Sequence, residues 1–383
     1  MEVLREDIPD LAEPDESALR VRPGCVLPEP PQELIARLSG RRRSLSHQQI
    51  VDGILRGDRA VLAQAITLIE SSRAADRELA EQIIEDCLPH SGNSIRVGIT
   101  GVPGAGKSSL IERLGTFLIG EPETTEQGQK VAVLAIDPSS QLSGGSILGD
   151  KTRMQSLASS DRAFIRPSPT RGSLGGVAQR TREAMLLCEA AGYRNILIET
   201  VGVGQSETAV HEMVDFFLLI TLTGAGDELQ GMKRGVMELA DVVVINKADG
   251  ANLAAAERAR TEAENALHYL PKQPNGWTPR TLTCSAQTGK GIAELWNCVL
   301  EQTDLTKANG WFSVTRKDQT RRWMHEIIEQ GLRQRFESQP TIRRRMEALE
   351  QDVLEGRTTS FRAARTLLEI YSDPKPADPP SGD

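Results

Sequence analysis

Arg96-Val97-Gly98-Ile99-Thr100-Gly101-Val102-Pro103-Gly104-Ala105-Gly106-Lys107-Ser108-Ser109 begins as an apolar strand and ends at the start of a helix. Between the two lies the spacing GxxxxGK[ST]. Gly101, Gly104 and Gly106 let the backbone curl until successive N–H groups point at one centre, a geometry suited to phosphate oxygens. The helix that follows, with Leu110, Ile111, Leu114, Phe117 and Leu118 on one side, adds the positive end of its dipole. Lys107 is placed to neutralise β- and γ-phosphates, and the Ser108 hydroxyl to meet Mg²⁺. Residues 101–109 are therefore the expected phosphate cradle.

Working outward, Val131–Ile136, Ile196–Ile198, Phe216–Thr221 and Val242–Ile245 form further short apolar runs, most of them rich in β-branched residues, and 280–284 reads as a further strand. Helix-length polar segments separate most of them. Alternating strands and helices of this kind imply an α/β fold with a doubly wound, largely parallel sheet. Helical spacing at Leu62, Ala65, Ile66, Ile69 and at Leu79, Ile83, Ile84, Cys87 predicts a helical preface. The expected organisation is an acidic, disordered segment over 1–31, a helical extension over 32–92, the nucleotide domain over 93–305, a helical segment over 306–372 and a Pro-rich tail over 373–383.

The base is chosen elsewhere. Asn246-Lys247-Ala248-Asp249 follows the strand Val242–Ile245 and matches NKxD. The Asp249 carboxylate suits guanine, which offers N1–H and a 2-amino group where adenine has no such donor pair. Lys247 can lie along the purine through its methylenes, and Asn246 can tie this turn to the phosphate loop. An ordinary Asn-Lys turn is the competing reading. Ser285-Ala286-Gln287, after another strand, resembles the SA element of GTPases, whose backbone N–H contacts guanine O6. The cradle and these two elements, in chain order, favour GTP and GDP over ATP.

Glu199 ends the strand Asn195–Ile198, where an acid beside a phosphate loop holds Mg²⁺ directly or through water. Asp137, at the end of another strand, is a second candidate. The Gly202 N–H is positioned to sense the γ-phosphate. The polar segment from Ser143 to Met154 suits a loop ordered by γ-phosphate and metal. Within it, Asp150 reads either as a metal ligand or as a helix N-cap. A second Gly-rich segment, 223–235, carries Asp227, Gln230 and Lys233. No catalytic Gln or built-in arginine finger is evident, so slow intrinsic turnover completed by a protein partner is expected.

Composition bounds the partners. The 383 residues carry a net charge of −8, with 39% hydrophobic and 26% charged residues. That balance disfavours general nucleic-acid binding. The longest strictly apolar run, Val131–Ile136, falls far short of the roughly 20 residues of a membrane span. Five cysteines without a CxxC pair predict free thiols. The acidic N-terminus lacks secretory or mitochondrial targeting character, and a cytoplasmic location is expected.

Taken together, GVPGAGKSS, AIDPSS, SGGSILGDKTRM, IETVGVGQSE, TGAGDELQGMKRGVMELADVVVINKAD and CSAQTGKGIAELW resemble the MeaB/ArgK/methylmalonic aciduria type A family of SIMIBI-class P-loop GTPases. The resemblance runs from about Gln32 to about Tyr371. It implies a GTPase that protects an adenosylcobalamin-dependent methylmalonyl-CoA mutase and gates its cofactor loading from a cobalamin adenosyltransferase. It further implies metal ligands at Ser108, Asp137, Asp150 and Glu199, and a mutase-responsive loop over 223–235 with Asp227 and Lys233. A homodimer formed through the C-terminal helices is implied as well. Other readings are an ArgK-like kinase linked to transport and a metallochaperone GTPase, and isobutyryl-CoA mutase would be an equivalent client.

Overall fold

The computed structural model describes residues 45–71, 73–120, 129–137, 154–169, 174–200, 206–223 and 234–372, and of Asp137, Ser168, Pro169, residues 174–176, Ser206 and Arg234 the backbone alone. The expected disordered segments 1–31 and 373–383 lie outside these residues, as do Cys25, Asp150, Gly202, Asp227, Gln230 and Lys233.

The helical preface consists of α1 (His47–Leu55), α2 (Arg59–Ile69) and α3 (Ala74–Cys87). Asp58 caps α2, its carboxylate accepting from the N–H groups of Ala60 and Val61 and so satisfying donors the helix leaves open. Leu62, Ala65, Ile66 and Ile69 are buried, as their spacing predicts. The three helices pack on one another and against α6 (Leu174–Ala190).

The nucleotide domain is built on β1 (Ile95–Gly101), β2 (Val131–Asp137), β3 (Ala163–Pro169), β4 (Asn195–Thr200), β5 (Phe216–Thr221), β6 (Val242–Ile245) and β7 (Arg280–Thr283). These form one sheet in the order β3-β2-β4-β1-β5-β6-β7. Every pairing is parallel. β4, β5 and β6 are buried along their whole length, because helices cover both faces and a strand so covered reads as a continuous apolar run. The covering helices include α4 (Lys107–Ile119), the short α5 (Gln155–Ala158), α7 (Ser206–His211), α8 (Arg234–Leu239) and α9 (Leu253–His268).

Two sequence expectations need correction. β3, AFIRPSP, was not anticipated. Arg166, Pro167 and Pro169 mask its strand character, and proline is tolerated there because β3 is an edge strand with one neighbour. Phe117, assigned to the buried side of α4, is 46% exposed. The buried arc centres on Ile111, Leu114 and Leu118, and Phe117 falls beyond its edge.

Parallel strands point their C-terminal ends the same way, so the ends of β1, β2, β4, β5, β6 and β7 lie on one rim. β1 is the switch point. The chain leaves it for β2 and β3 on one side and builds β5, β6 and β7 on the other. Ligands bind at such a crevice in open α/β sheets.

After β7 come α10 (Ile292–Ala308), α11 (Trp311–Ser338), α12 (Pro340–Leu354) and α13 (Ser360–Ser372). α11 is pinned to the sheet by Arg316, which pairs with Asp215 at 2.6 Å and donates to the Ser94 carbonyl at 2.7 Å. Gln319 adds a 2.9 Å bond to the Val214 carbonyl. Beyond that anchor α11 carries exposed Met324, Ile327, Ile328 and Leu332. α12 and α13 close a small core of their own around Ile342, Leu349, Ala363 and Leu367. Arg343, Arg344 and Arg345 are exposed, as a solvated face should be.

Candidate functional site

The loop between β1 and α4 has the shape its glycines predict. Gly101 sits at φ 155°, and a Cβ there would lie 2.2 Å from the Ile220 carbonyl oxygen. Gly106 sits at φ 86°, and a Cβ there would meet Asn246 Nδ2 at 2.7 Å. Side chains are thus excluded where the loop lies against β5 and the turn after β6. Lys107 is buried and folds back over the loop, donating to the Gly101 carbonyl at 2.9 Å and the Val102 carbonyl at 3.3 Å. Burial lowers its pKa, while the carboxylates of Glu199 and Glu207 pull the other way.

Ser108 and Glu199 meet. Ser108 Oγ donates to Glu199 Oε1 at 3.0 Å. The register places Glu199 beside Ile99 of β1 and Ala135 of β2. One step on, Thr200 donates to the Thr100 hydroxyl at 2.8 Å, which locks the ends of β1 and β4 together. A hydroxyl at a helix N-terminus and a strand-end carboxylate form a hard-oxygen pair, the donor chemistry Mg²⁺ takes. Among the described residues no group of three His, Cys, Asp or Glu could hold a metal by itself. The pair therefore fits a cation that also takes oxygens from a bound phosphate. Asp137 closes β2, next to β4 in the sheet, and reaches the same rim.

Asn246 is the hub of the opposite wall. Its Nδ2 donates to the Ala105 carbonyl at 2.8 Å, and its Oδ1 accepts from the Ala286 N–H at 3.2 Å. The same oxygen accepts from Cys284 Sγ at 3.5 Å. Burial pushes that thiol to about 12, so it remains a donor. Asn246 thus joins the phosphate loop, its own turn and the loop after β7. Lys247 takes left-handed backbone, φ 61°, and lays its chain across the phosphate loop to donate to the Gly104 carbonyl at 2.9 Å. Asp249 accepts from Ser285 Oγ at 2.5 Å. These residues border a cleft of about 640 Å³ that also reaches Ser109, Ala286 and Gln287.

The structure brings the phosphate loop, Glu199, Asn246–Asp249 and Ser285–Gln287 to one rim. Nothing is added for Asp150, Gly202, Asp227, Gln230 or Lys233, which lie outside the described residues. Glu112, Arg113 and Asn252 also line the cleft and were missed. Glu112 and Arg113 follow Lys107 on α4 and look like ordinary charged helix positions. Only their place on the helix that starts at the phosphate loop could have marked them.

Comparison with known proteins gives this rim a lineage. A family model described as methylmalonyl Co-A mutase-associated GTPase MeaB matches residues 62–341. The chain belongs to the MeaB family. Like the family, it is a GTPase. A relative from Caulobacter vibrioides named putative GTPase is 50% identical over 328 residues, 86% of this chain and 97% of the relative. The mouse methylmalonic aciduria type A homolog, named as mitochondrial, is 45% identical over 338 residues, 85% of this chain and 80% of the relative. Among solved structures, a protein described as LAO/AO transport system kinase superposes with a TM-score of 0.68 at 37% identity, over 85% of this chain and 98% of that one. The MeaB match spans α2 to the start of α12 and so takes in the whole sheet and rim.

Proposed function

We propose that this chain is a Mg²⁺-dependent GTP switch that escorts an adenosylcobalamin-dependent acyl-CoA mutase, with methylmalonyl-CoA mutase as the expected client. The observation that carries the nucleotide half is the Asn246 hub, which fixes the base turn, the loop at 285–287 and the phosphate loop relative to one another. The mutase half rests on the family's description.

In this reading Asp249 accepts from guanine N1–H and the 2-amino group, held in register by Ser285. The Ala286 N–H exchanges its Asn246 partner for guanine O6, and the Lys247 stem covers a purine face. The loop over residues 101–109 presents its N–H groups to the phosphates, and Lys107 exchanges its carbonyl partners for β- and γ-phosphate oxygens. Ser108 and Glu199, joined by Asp137 and Asp150, hold Mg²⁺, which when bound neutralises charge on those oxygens. Gly202 senses the γ-phosphate, and the 223–235 loop with Asp227, Gln230 and Lys233 reports to the client. Turnover is slow until the partner completes the site.

The nucleotide domain over 93–305 then carries the switch and the helices over 306–372 carry self-association. The apolar stripe of Met324, Ile327, Ile328 and Leu332 on α11 supports a homodimer formed by that arm. The buried, unbridged thiols of Cys87, Cys188, Cys284 and Cys298 support a cytoplasmic setting. Among the described residues no helix is long and apolar enough to cross a membrane.

Size-exclusion of the chain with purified mutase tests the escort. Co-elution that depends on whether GTP analogue or GDP is present supports it, and separate elution with both nucleotides sinks it. A kinase reading draws on the name of the structure at 37% identity. Transfer of labelled γ-phosphate to a protein, with ATP preferred, would favour it. No observation favours the metallochaperone reading.

A further inference from the structure

The loop that closes the base side of the cleft is held from two directions. On one side, Asn246 accepts from the Ala286 N–H and Asp249 accepts from Ser285. Inside the loop, Ser285 Oγ accepts from the Thr288 N–H at 3.1 Å, and the Gly289 N–H donates to the Ser285 carbonyl at 2.8 Å. These bonds shape the turn and hold its Ser285–Ala286 end, but none of them ties its Gln287–Gly289 end to the body of α4.

Arg113 does that from the other side. Its guanidinium donates to the Gln287 carbonyl at 3.4 Å. The plane lies against Gly289, where an added Cβ would sit 3.0 Å from Nε, 3.1 Å from a terminal nitrogen and 3.2 Å from Cζ. Gly289 has φ 82°, so the loop turns in left-handed backbone where the guanidinium seats. Arg113 Nε is buried under the loop with no acceptor among the described residues. Arg113 also lines the cleft beside Asp249, Ala286 and Gln287. It stands on the helix whose first residue is Lys107, so one rigid element spans from the phosphate end to the base end.

We propose that Arg113 is a positioning residue for base recognition: by seating on Gly289 and Gln287 it sets the Ala286 N–H at the distance needed to read guanine O6. The inference rests on the guanine reading above. It predicts an effect centred on the O6 side of the base, because Asp249 takes its bond from Ser285, at the other end of the loop from the Gln287 and Gly289 that Arg113 holds.

The test is equilibrium binding of GTP, 6-thio-GTP, ITP and ATP to the full chain and to Arg113→Ala. 6-thio-GTP changes only O6, to a poor acceptor, and ITP lacks only the 2-amino group. Arg113→Ala is expected to weaken GTP and ITP by about tenfold, the scale of a lost hydrogen bond to a charged group, and 6-thio-GTP much less. The GTP-to-6-thio-GTP preference should shrink while the GTP-to-ITP preference holds. Arg113→Lys, which keeps the stem but loses the plane, should shrink it too and serves if the alanine variant folds poorly. Equal weakening of all three guanine-type nucleotides, or no change, overturns the inference. A wild-type chain that binds ATP as tightly as GTP instead overturns the guanine reading beneath it.

Discussion

Ser108 Oγ donates to Glu199 Oε1 at 3.0 Å, across the gap between the start of α4 and the end of β4. This bond holds two oxygen donors from distant parts of the sequence at one point on the rim. Glu199→Gln keeps the shape and an acceptor but removes the charge. The Mg²⁺ concentration for half-maximal GTP hydrolysis should rise by about 10- to 100-fold. Titrating Mg²⁺ at saturating GTP reads this directly, and an unchanged midpoint would remove Glu199 from the metal site.

Asn246 and Ala105 form the second such bridge, at 2.8 Å. In Asn246→Ala the phosphate loop loses its tie to the base turn, and the buried Ala105 carbonyl loses its donor. A buried group left unpaired costs about 1–3 kcal/mol. Calorimetry should show GDP and GTP weakened together, since the lesion is shared by both nucleotides. Loss confined to GTP would contradict the hub.

Asp249 accepts from Ser285 at 2.5 Å and is the proposed reader of the guanine donors. Asp249→Asn presents a donor where guanine also presents one. GTP affinity should drop by about two orders of magnitude or more, with xanthosine triphosphate gaining, because a site built for one hydrogen-bond pattern rejects the other strongly. Competition binding with both nucleotides checks the exchange.

Asp241, wholly buried at the start of β6, accepts from the Phe217 N–H at 2.8 Å. Burial pushes its carboxyl from 3.8 up to about 7, against the hydrogen bonds from Phe217 and Gln273. The folded chain therefore keeps a proton that the unfolded chain releases. That contribution is fully present below pH 3.8 and is lost as pH rises to about 7. Asp241→Asn retains an acceptor for Phe217 and cannot ionise. Its melting temperature relative to wild type should climb between about pH 4 and pH 7, then level off. A flat difference across that range would contradict the buried proton.

Arg316 and Asp215 pin α11 to the sheet at 2.6 Å, with Asp215 also accepting from the Arg96 N–H at 2.9 Å. Arg316→Ala leaves the Asp215 carboxylate buried without its cation. Denaturant unfolding should show a loss of about 3–5 kcal/mol. Arg316→Lys should recover little, since an ammonium cannot fork to both carboxylate oxygens.

Much of this architecture is legible before any coordinates. Gly101, Gly104, Gly106 and Lys107 are legible because bending a backbone around phosphate needs those residue types at that spacing. Glu199 is legible because it stands at the end of a strand beside a loop already recognised, and Asp249 because it closes an NKxD turn after another strand. β3 is not, because Pro167 and Pro169 hide an edge strand whose identity comes only from pairing with β2. Arg113 is not, because its partners Gln287 and Gly289 lie far along the chain and an arginine on a helix surface carries no local mark.

The central claim is a GTP switch that serves a mutase, and GTP turnover with and without the mutase tests it most directly. GTP hydrolysis by the purified chain should be slow alone and rise severalfold or more when an adenosylcobalamin-dependent acyl-CoA mutase is added. The rise should be lost in Lys107→Ala. Fast hydrolysis by the chain alone, at a rate no such mutase changes, would contradict the account.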